Sequence, residues 1–186
     1  MSTTEGFTKL FPHLSLILGG ASSGKSAFAE KIIVNSGLTP LYLATSDAHD
    51  DEMRTKIARH RTQRGADWAL IETPLDAADA LSGVKAGHAV LLDCATMWLA
   101  NQMGAGRDLD AAQAALLRAL HDCAAPVVVV SNEVGMGIVP ENALARQFRD
   151  AQGKLNQAIA AQADCAALIV AGLPLVLKGQ LPSGAA

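Results

Sequence analysis

Gly19-Gly20-Ala21-Ser22-Ser23-Gly24-Lys25-Ser26 places glycine, lysine and a hydroxyl at the spacing G-x-x-x-x-G-K-[ST]. Glycines at these places let the chain curl until successive amide groups face inward, and a following helix adds the positive end of its dipole. Both features favour a bound polyphosphate. Lys25 is then the group that reaches the β- and γ-phosphates, and Ser26 is the hydroxyl that holds Mg²⁺. A glycine turn entering an ordinary helix needs neither residue.

His60 forms a second constellation with Arg59, Arg61 and Arg64. Neighbouring guanidinium groups disfavour the imidazolium, so the ring stays unprotonated and nucleophilic near neutral pH while the arginines hold a polyphosphate against it. The competing reading is a helix-end histidine making a dipole contact on a solvated basic face. Asp93 closes the run Ala89-Val90-Leu91-Leu92-Asp93, four apolar residues and then an acid, the pattern in which an aspartate meets Mg²⁺ through water; a cap or turn is the alternative. His49 lacks flanking arginines and reads as a surface residue.

Hydrophobic spacing supplies the elements that must position these groups. Leu14–Leu18 is a central strand, and a helix over Lys25–Asn35 stops at Gly37. Leu41–Ala44 is a strand that delivers Thr45 and Ser46 to the same sheet edge as the glycine loop if the sheet is parallel. Acids at the start and bases at the end predict a helix over residues 50–64, with Met53, Ile57 and His60 on one face. Trp68–Glu72 reads as a strand ending in a carboxylate, and Thr73-Pro74 leads into a helix that ends near Leu81. Ala89–Asp93 is a strand, residues 109–123 a helix, and residues 126–133 a strand with polar residues at its carboxyl end. Gly135–Pro140 is a glycine-rich, partly apolar loop.

Residues 142–163 read as helix in two pieces, broken at Gly153, with Arg146, Arg149 and Asp150 on one side of the first. Ala166–Ala171 and Leu175–Leu177 are the last strands, joined through Gly172-Leu173-Pro174. The alternation predicts a single doubly wound α/β domain of the P-loop NTPase type over residues 1–186, a mostly parallel sheet flanked by helices. Residues 1–12 and 179–186 are expected as loose tails.

Composition narrows the function classes. Half of the 186 residues are hydrophobic and only 4% aromatic, so Ala, Leu, Val and Ile must build the core. A formal net charge of −3 gives no basic field for nucleic acid. No run reaches the length of a membrane span, and Cys94, Cys123 and Cys165 lack metal-site spacing. A cytoplasmic chain with buried thiols is therefore expected.

Longer motifs carry a family resemblance. The glycine loop, Ala44-Thr45-Ser46, Asp51-Glu52-Met53 with Ile57-Ala58-Arg59-His60-Arg61, and Leu92-Asp93-Cys94 with Trp98-Leu99 and Asn101 all contribute. So do Ser131-Asn132-Glu133-Val134-Gly135-Met136-Gly137-Ile138-Val139-Pro140, Arg146 with Phe148-Arg149-Asp150, Gly153 with Leu155-Asn156-Gln157, and Ala171-Gly172-Leu173-Pro174. Together they resemble the bifunctional adenosylcobinamide kinase/adenosylcobinamide-phosphate guanylyltransferase family of cobalamin biosynthesis, over nearly all of Leu14–Lys178.

The resemblance implies two reactions. A nucleoside triphosphate, ATP or GTP, phosphorylates the aminopropanol hydroxyl of adenosylcobinamide. GTP then transfers GMP to that phosphate, giving adenosylcobinamide-GDP and pyrophosphate. It implies that His60 carries GMP covalently; some members hold a second histidine where this chain has Arg59, so His60 is the sole nucleophile in the helix. Candidate nucleotide contacts are Gly19, Gly20, Ala21, Ser22, Ser23, Gly24, Lys25, Ser26, Ala44, Thr45, Ser46, Arg61, Thr62, Gln63, Arg64, Glu72 and Asp93, with Ser26 and Asp93 serving Mg²⁺. Asn132, Glu133, Arg146 and Arg149 are candidates for the corrinoid or a neighbouring subunit. A homo-oligomer, with a trimer implied, is expected, and Met97-Trp98-Leu99 and Met136–Val139 are either its contacts or core. The rival readings are a P-loop small-molecule kinase without nucleotidyl transfer and an NTP-driven switch or nucleic-acid motor.

Overall fold

The computed structural model describes residues 11–46 and 68–182. Its elements are β1 (Leu14–Gly19), α1 (Lys25–Asn35), β2 (Thr39–Ala44), β3 (Ala69–Glu72), α2 (Ala77–Ser82), β4 (His88–Asp93), α3 (Ala95–Gly104), α4 (Leu109–Asp122), β5 (Val127–Asn132), α5 (Ala143–Gln162), β6 (Cys165–Val170) and β7 (Leu173–Lys178). The strands form one sheet in the order β3-β2-β4-β5-β1-β6-β7. Every pairing is parallel except β6 with β7.

The apolar runs of β1, β4 and β5 are buried because both faces of the sheet are covered. On one face, Phe28, Ala29, Ile32 and Ile33 of α1 pack over Ile17, Tyr42, Leu91, Val128 and Val130. On the other, α2 to α5 cover Leu16, Leu43, Leu92 and Val129 through Leu81, Trp98, Leu116, Leu155 and Ile159. Leaving β1, the chain crosses beyond β5 and β4 to reach β2, whereas β6 lies on the other side of β1. The reversal opens a crevice at the carboxyl ends of the strands, where parallel α/β sheets bind ligands.

Four details differ from expectation. Residues 143–162 form one unbroken helix. A side chain at Gly153 would meet nothing within 4 Å, while Gln152, Leu155, Asn156 and Ile159 bury beside it; packing on that face outweighs the cost of about 1 kcal/mol for a helical glycine. Helix α3 was not legible because the polar Gln102 completes its buried stripe of Ala95, Trp98 and Leu99. The final hairpin turns on two residues, Ala171 (φ 52°) and Gly172 (φ 78°), leaving Pro174 inside the edge strand, where a missing amide is tolerated. Residues 179–182 are not a loose tail: a side chain at Gly179 would collide with the Asp164 carbonyl, Leu181 packs on the α1-side core and Pro182 is buried.

Candidate active site

The phosphate loop links the end of β1 to the start of α1, and its glycines are dictated by close approach. A Cβ at Gly19 would collide with Ser23 Oγ and stand 2.9 Å from the Ile169 carbonyl oxygen. Gly24 has φ 94°, and a Cβ there would lie 3.2 Å from Gly172 Cα. The β6–β7 turn thus forms one wall of the loop, and Gly172 N donates to Ser23 O at 2.9 Å. Ser23 N closes on Gly20 O at 3.3 Å, and Phe28 N on Gly24 O at 3.0 Å as α1 begins. Lys25 curls over the loop with Nζ donating to Gly20 O at 3.0 Å, and Ser26 stands half-buried in the first turn of α1.

Beside the loop, Ala44 lies in register with Glu72 on one flank and Asp93 on the other. Glu72 is exposed; Asp93 is half-buried and its Oδ2 accepts from the Tyr42 hydroxyl at 2.9 Å. Tyr42 also meets Trp68 edge-on, with ring centroids 6.1 Å apart. Thr45 is fully buried. Its hydroxyl donates to Cys94 O and accepts from Cys94 N, both at 2.7 Å, so that side chain ties β2 to β4. Ser46 is the last described residue of this stretch.

Helix α3 fastens the same region with one face. Asn101 Nδ2 donates to Thr45 O at 2.8 Å and Pro74 O at 3.0 Å. Trp98 Nε1 and Gln102 Nε2 both donate to Leu75 O, at 3.1 and 2.6 Å. Cys94 caps α3, its Sγ accepting from Met97 N at 3.4 Å. Burial, reinforced by the Asp93 charge, pushes its thiol up to about 11, partly offset by the Met97 and Thr96 amides and, least, by Lys25. Cys123 and Cys165 are buried too, and burial likewise raises their thiols.

At the end of β5, Ser131 Oγ donates to Asn156 Oδ1 at 2.6 Å, Gln152 Nε2 bonds both, and Asn156 Nδ2 reaches Asn132 O at 3.1 Å. Asn132 is in register with Gly19, and Glu133 N donates to Gly19 O at 3.1 Å. Glu133 Oε1 accepts from Gly135 N at 2.6 Å. Arg146 Nη1 donates to Pro140 O at 2.9 Å and Glu141 O at 2.5 Å, whereas Arg149 lies 3.9 Å from the Asp150 carboxylate. Trp98 and Leu99 are core; Met136, Ile138 and Val139 are exposed on this chain.

The structure thus gathers Gly19 to Ser26, Ala44, Thr45, Glu72, Asp93, Asn132 and Glu133 along one sheet edge. His60, Arg61, Thr62, Gln63 and Arg64 lie outside the described residues, as do Arg59, His49 and the expected helix over 50–64. Tyr42, Gln102 and Gln152 were not anticipated. Tyr42 is the chain's single tyrosine, set in an apolar strand, and that was the available signal. Donors fitting a hard cation are present: the Ser26 hydroxyl and the Asp93 carboxylate. Among the described residues no group of three or more His, Cys, Asp or Glu side chains forms a protein-only metal cage. That donor set suits Mg²⁺, which keeps waters and takes phosphate oxygens. No helix among the described residues is long and apolar enough to cross a membrane.

Comparison with known proteins gives concordant results. A family model described as cobinamide kinase / cobinamide phosphate guanyltransferase matches residues 15–177. The bifunctional adenosylcobalamin biosynthesis protein CobP of Pseudomonas aeruginosa is 45% identical, the match covering 89% of this chain and 97% of that protein. The proteins called CobU in Salmonella typhimurium and Escherichia coli are 42% and 39% identical, each with 88% of this chain and 98% of theirs covered. Among solved structures, the RadB recombinase superposes with a TM-score of 0.57 at 16% identity, covering 94% of this chain and 85% of that one. A type III secretion ATPase gives 0.50 at 12% identity, with 84% and 50% covered. These two likenesses establish the P-loop NTPase fold and no more.

Proposed function

The chain belongs to the cobinamide kinase/cobinamide phosphate guanyltransferase family, and from that premise we propose that its two transfers share one phosphate loop, with His60 as the covalent carrier of GMP. It is a bifunctional adenosylcobinamide kinase and guanylyltransferase. In the kinase step the aminopropanol hydroxyl of adenosylcobinamide attacks the γ-phosphorus of ATP or GTP, and the nucleoside diphosphate leaves. In the second step a ring nitrogen of His60 attacks the α-phosphorus of GTP and pyrophosphate leaves. The phosphate on the substrate then takes GMP from the histidine, regenerating the free ring.

The observation that carries this reading is the family match across residues 15–177 onto a chain whose phosphate loop, Asp93 and Glu72 share one edge. Loop amides and Lys25 stabilise charge on the phosphates in both steps, since phosphoryl and nucleotidyl transfer are chiefly problems of position and charge. Mg²⁺, when bound by Ser26 and, through water, Asp93, supplies charge neutralisation at the phosphate oxygens. Ala44, Ser46, Glu72 and Asp93 are assigned to the nucleoside or metal, and Arg61, Thr62, Gln63 and Arg64 to the triphosphate with His60. Asn132, Glu133, Arg146 and Arg149 serve the corrinoid side or a neighbouring subunit. The enzyme works in the cytoplasm as a homo-oligomer, with a trimer as the state implied by the family.

The recombinase-like fold does not revive a motor reading, because a 16% likeness carries fold alone while the 45% relative spans nearly its whole length. The test is labelling with α-³²P GTP and Mg²⁺. Wild type gives an acid-labile, base-stable adduct, as a phosphoramidate requires, and His60→Ala gives none while retaining kinase turnover. An adduct that persists in His60→Ala removes the histidine from this role; no adduct in a kinase-active wild type leaves the plain kinase.

A further inference from the structure

We propose that the loop between β5 and α5 is the docking surface for the corrin macrocycle, with Met136, Ile138 and Val139 against the ring; this rests on the functional reading above. Ile138 is 97% exposed and Met136 80%, and Val139 and Leu144 are also exposed. Apolar side chains on a loop ordinarily fold inward, and a cluster that stands out marks a binding surface. Here the polar groups make local bonds that hold the loop at both ends. Glu133 accepts from Gly135 N, Arg146 bonds the Pro140 and Glu141 carbonyls, and Asn142 Oδ1 accepts from Leu144 N and Ala145 N at 2.8 and 3.2 Å. The apolar residues are thereby presented outward.

Position selects the occupant. Strand β5 lies between β4, which ends in Asp93, and β1, which ends in the phosphate loop, and the loop leaves β5 with Glu133 bonded to Gly19. On the functional reading above, the transferred phosphate is held by the phosphate loop and Lys25, and the acceptor hydroxyl ends an arm only a few bonds long. The macrocycle must therefore rest on what projects from this part of the edge. The β6–β7 turn walls the phosphate loop on the side of β1 away from Asp93; on the Asp93 side, β4 is closed by the buried Thr45–Cys94 pair and β1 by the phosphate loop, which leaves the β5 loop. A broad, flat ring rimmed with methyl groups and amide arms fits an apolar platform beside the open backbone at Gly137, where a Cβ would meet nothing within 4 Å. A second copy of the chain has a better-suited surface in β7, which among the described residues is an edge strand, with Leu173, Leu175, Val176 and Leu177 exposed.

The test compares the full-length wild type with a Met136→Ser/Ile138→Ser double variant. KM for adenosylcobinamide in the kinase step should rise tenfold or more, while KM for the nucleotide, GTP-only labelling and the mass by light scattering stay as in wild type. Val34→Ser, an exposed apolar residue on α1, should change none of these. An unchanged corrinoid KM overturns the proposal. A fall in oligomeric mass also overturns it, by making the loop a subunit contact. If the double variant does not fold, Ile138→Ser alone decides on the same readings. A wild type that never phosphorylates adenosylcobinamide instead overturns the functional reading, and the proposal falls with it.

Discussion

Replacing Thr45 by valine should destabilise the enzyme far more than replacing it by serine. Valine keeps the size and branching of threonine and lacks only the hydroxyl. That hydroxyl makes two bonds at 2.7 Å to the amide and carbonyl of Cys94, inside a site from which water is excluded. Cys94 O also accepts from Trp98 N at 3.1 Å, so the amide is the group left without a partner, at about 1–3 kcal/mol, and the lost second bond to the carbonyl brings the total to roughly 1.5–4.5 kcal/mol. Serine retains both bonds and loses one methyl group, about 1 kcal/mol. For a chain of this length a loss of 1 kcal/mol lowers Tm by about 2–4 °C. Thermal unfolding should therefore show Thr45→Val falling by about 3 °C at the least, and in mid-range by about 9 °C, with Thr45→Ser within about 2–4 °C of wild type. Equal Tm values for the two variants would refute the claim that this hydroxyl joins β2 to β4.

Gly172→Ala forces a side chain into φ 78° at the turn bonded to Ser23, a backbone cost of about 1 kcal/mol. If that turn shapes the phosphate loop, KM for the nucleotide rises severalfold in both transfers, measured by steady-state assays with each nucleotide. Gly153→Ala, with open space around the new methyl group, should stabilise α5 by about 1 kcal/mol and raise Tm by about 2–4 °C; a fall would mean the glycine is needed for more than its lack of a side chain. Cys94 binds its proton more tightly in the folded chain, about 11 against an ordinary 9.0, so the stability it contributes is complete below pH 9 and is lost as pH rises towards 11. The loss is about 3 kcal/mol at its limit. Denaturant titrations at pH 8 and 10.5 should show it, with Cys94→Ala reducing the slope and the residue left by Cys123 and Cys165, which shift in the same direction.

Much of the fold was legible because parallel strands buried on both faces announce themselves as continuous apolar runs, as in Val127–Val130 and Ala89–Leu92. The phosphate loop was legible because its glycines obey contacts only a few residues away, Gly19 against Ser23 above all. What stayed hidden depended on distant partners. Helix α3 buries Gln102, and nothing local reveals that its amide finds Leu75 O across the site. The same holds for Gln152 and Asn156, whose polarity makes sense only once Ser131 lies beside them. Gly153 misled in the other direction, since a local propensity was overridden by the packing of its neighbours.

Those hidden partners explain how a rigid edge can serve two chemistries. Kinase and guanylyl transfer ask for attack at different phosphorus atoms, so either the nucleotide or the nucleophile must be repositioned between them while the phosphate loop keeps its shape. The chain between Ser46 and Trp68 carries His60, and both of its flanks are fixed independently of the phosphates. Thr45 is held by Cys94 and Asn101, and Trp68 rests on Tyr42, whose hydroxyl holds Asp93. Asn101 also grips Pro74, just past the end of β3, so one side chain spans the exit of β2 and the exit of β3. Both described flanks are thereby tied to the sheet edge by bonds that do not involve the phosphates. A loosened clamp such as Asn101→Ala should therefore weaken GTP-dependent covalent labelling of the enzyme more than it weakens phosphorylation of the corrinoid. Equal losses in the two assays would show that the clamp merely stabilises the fold.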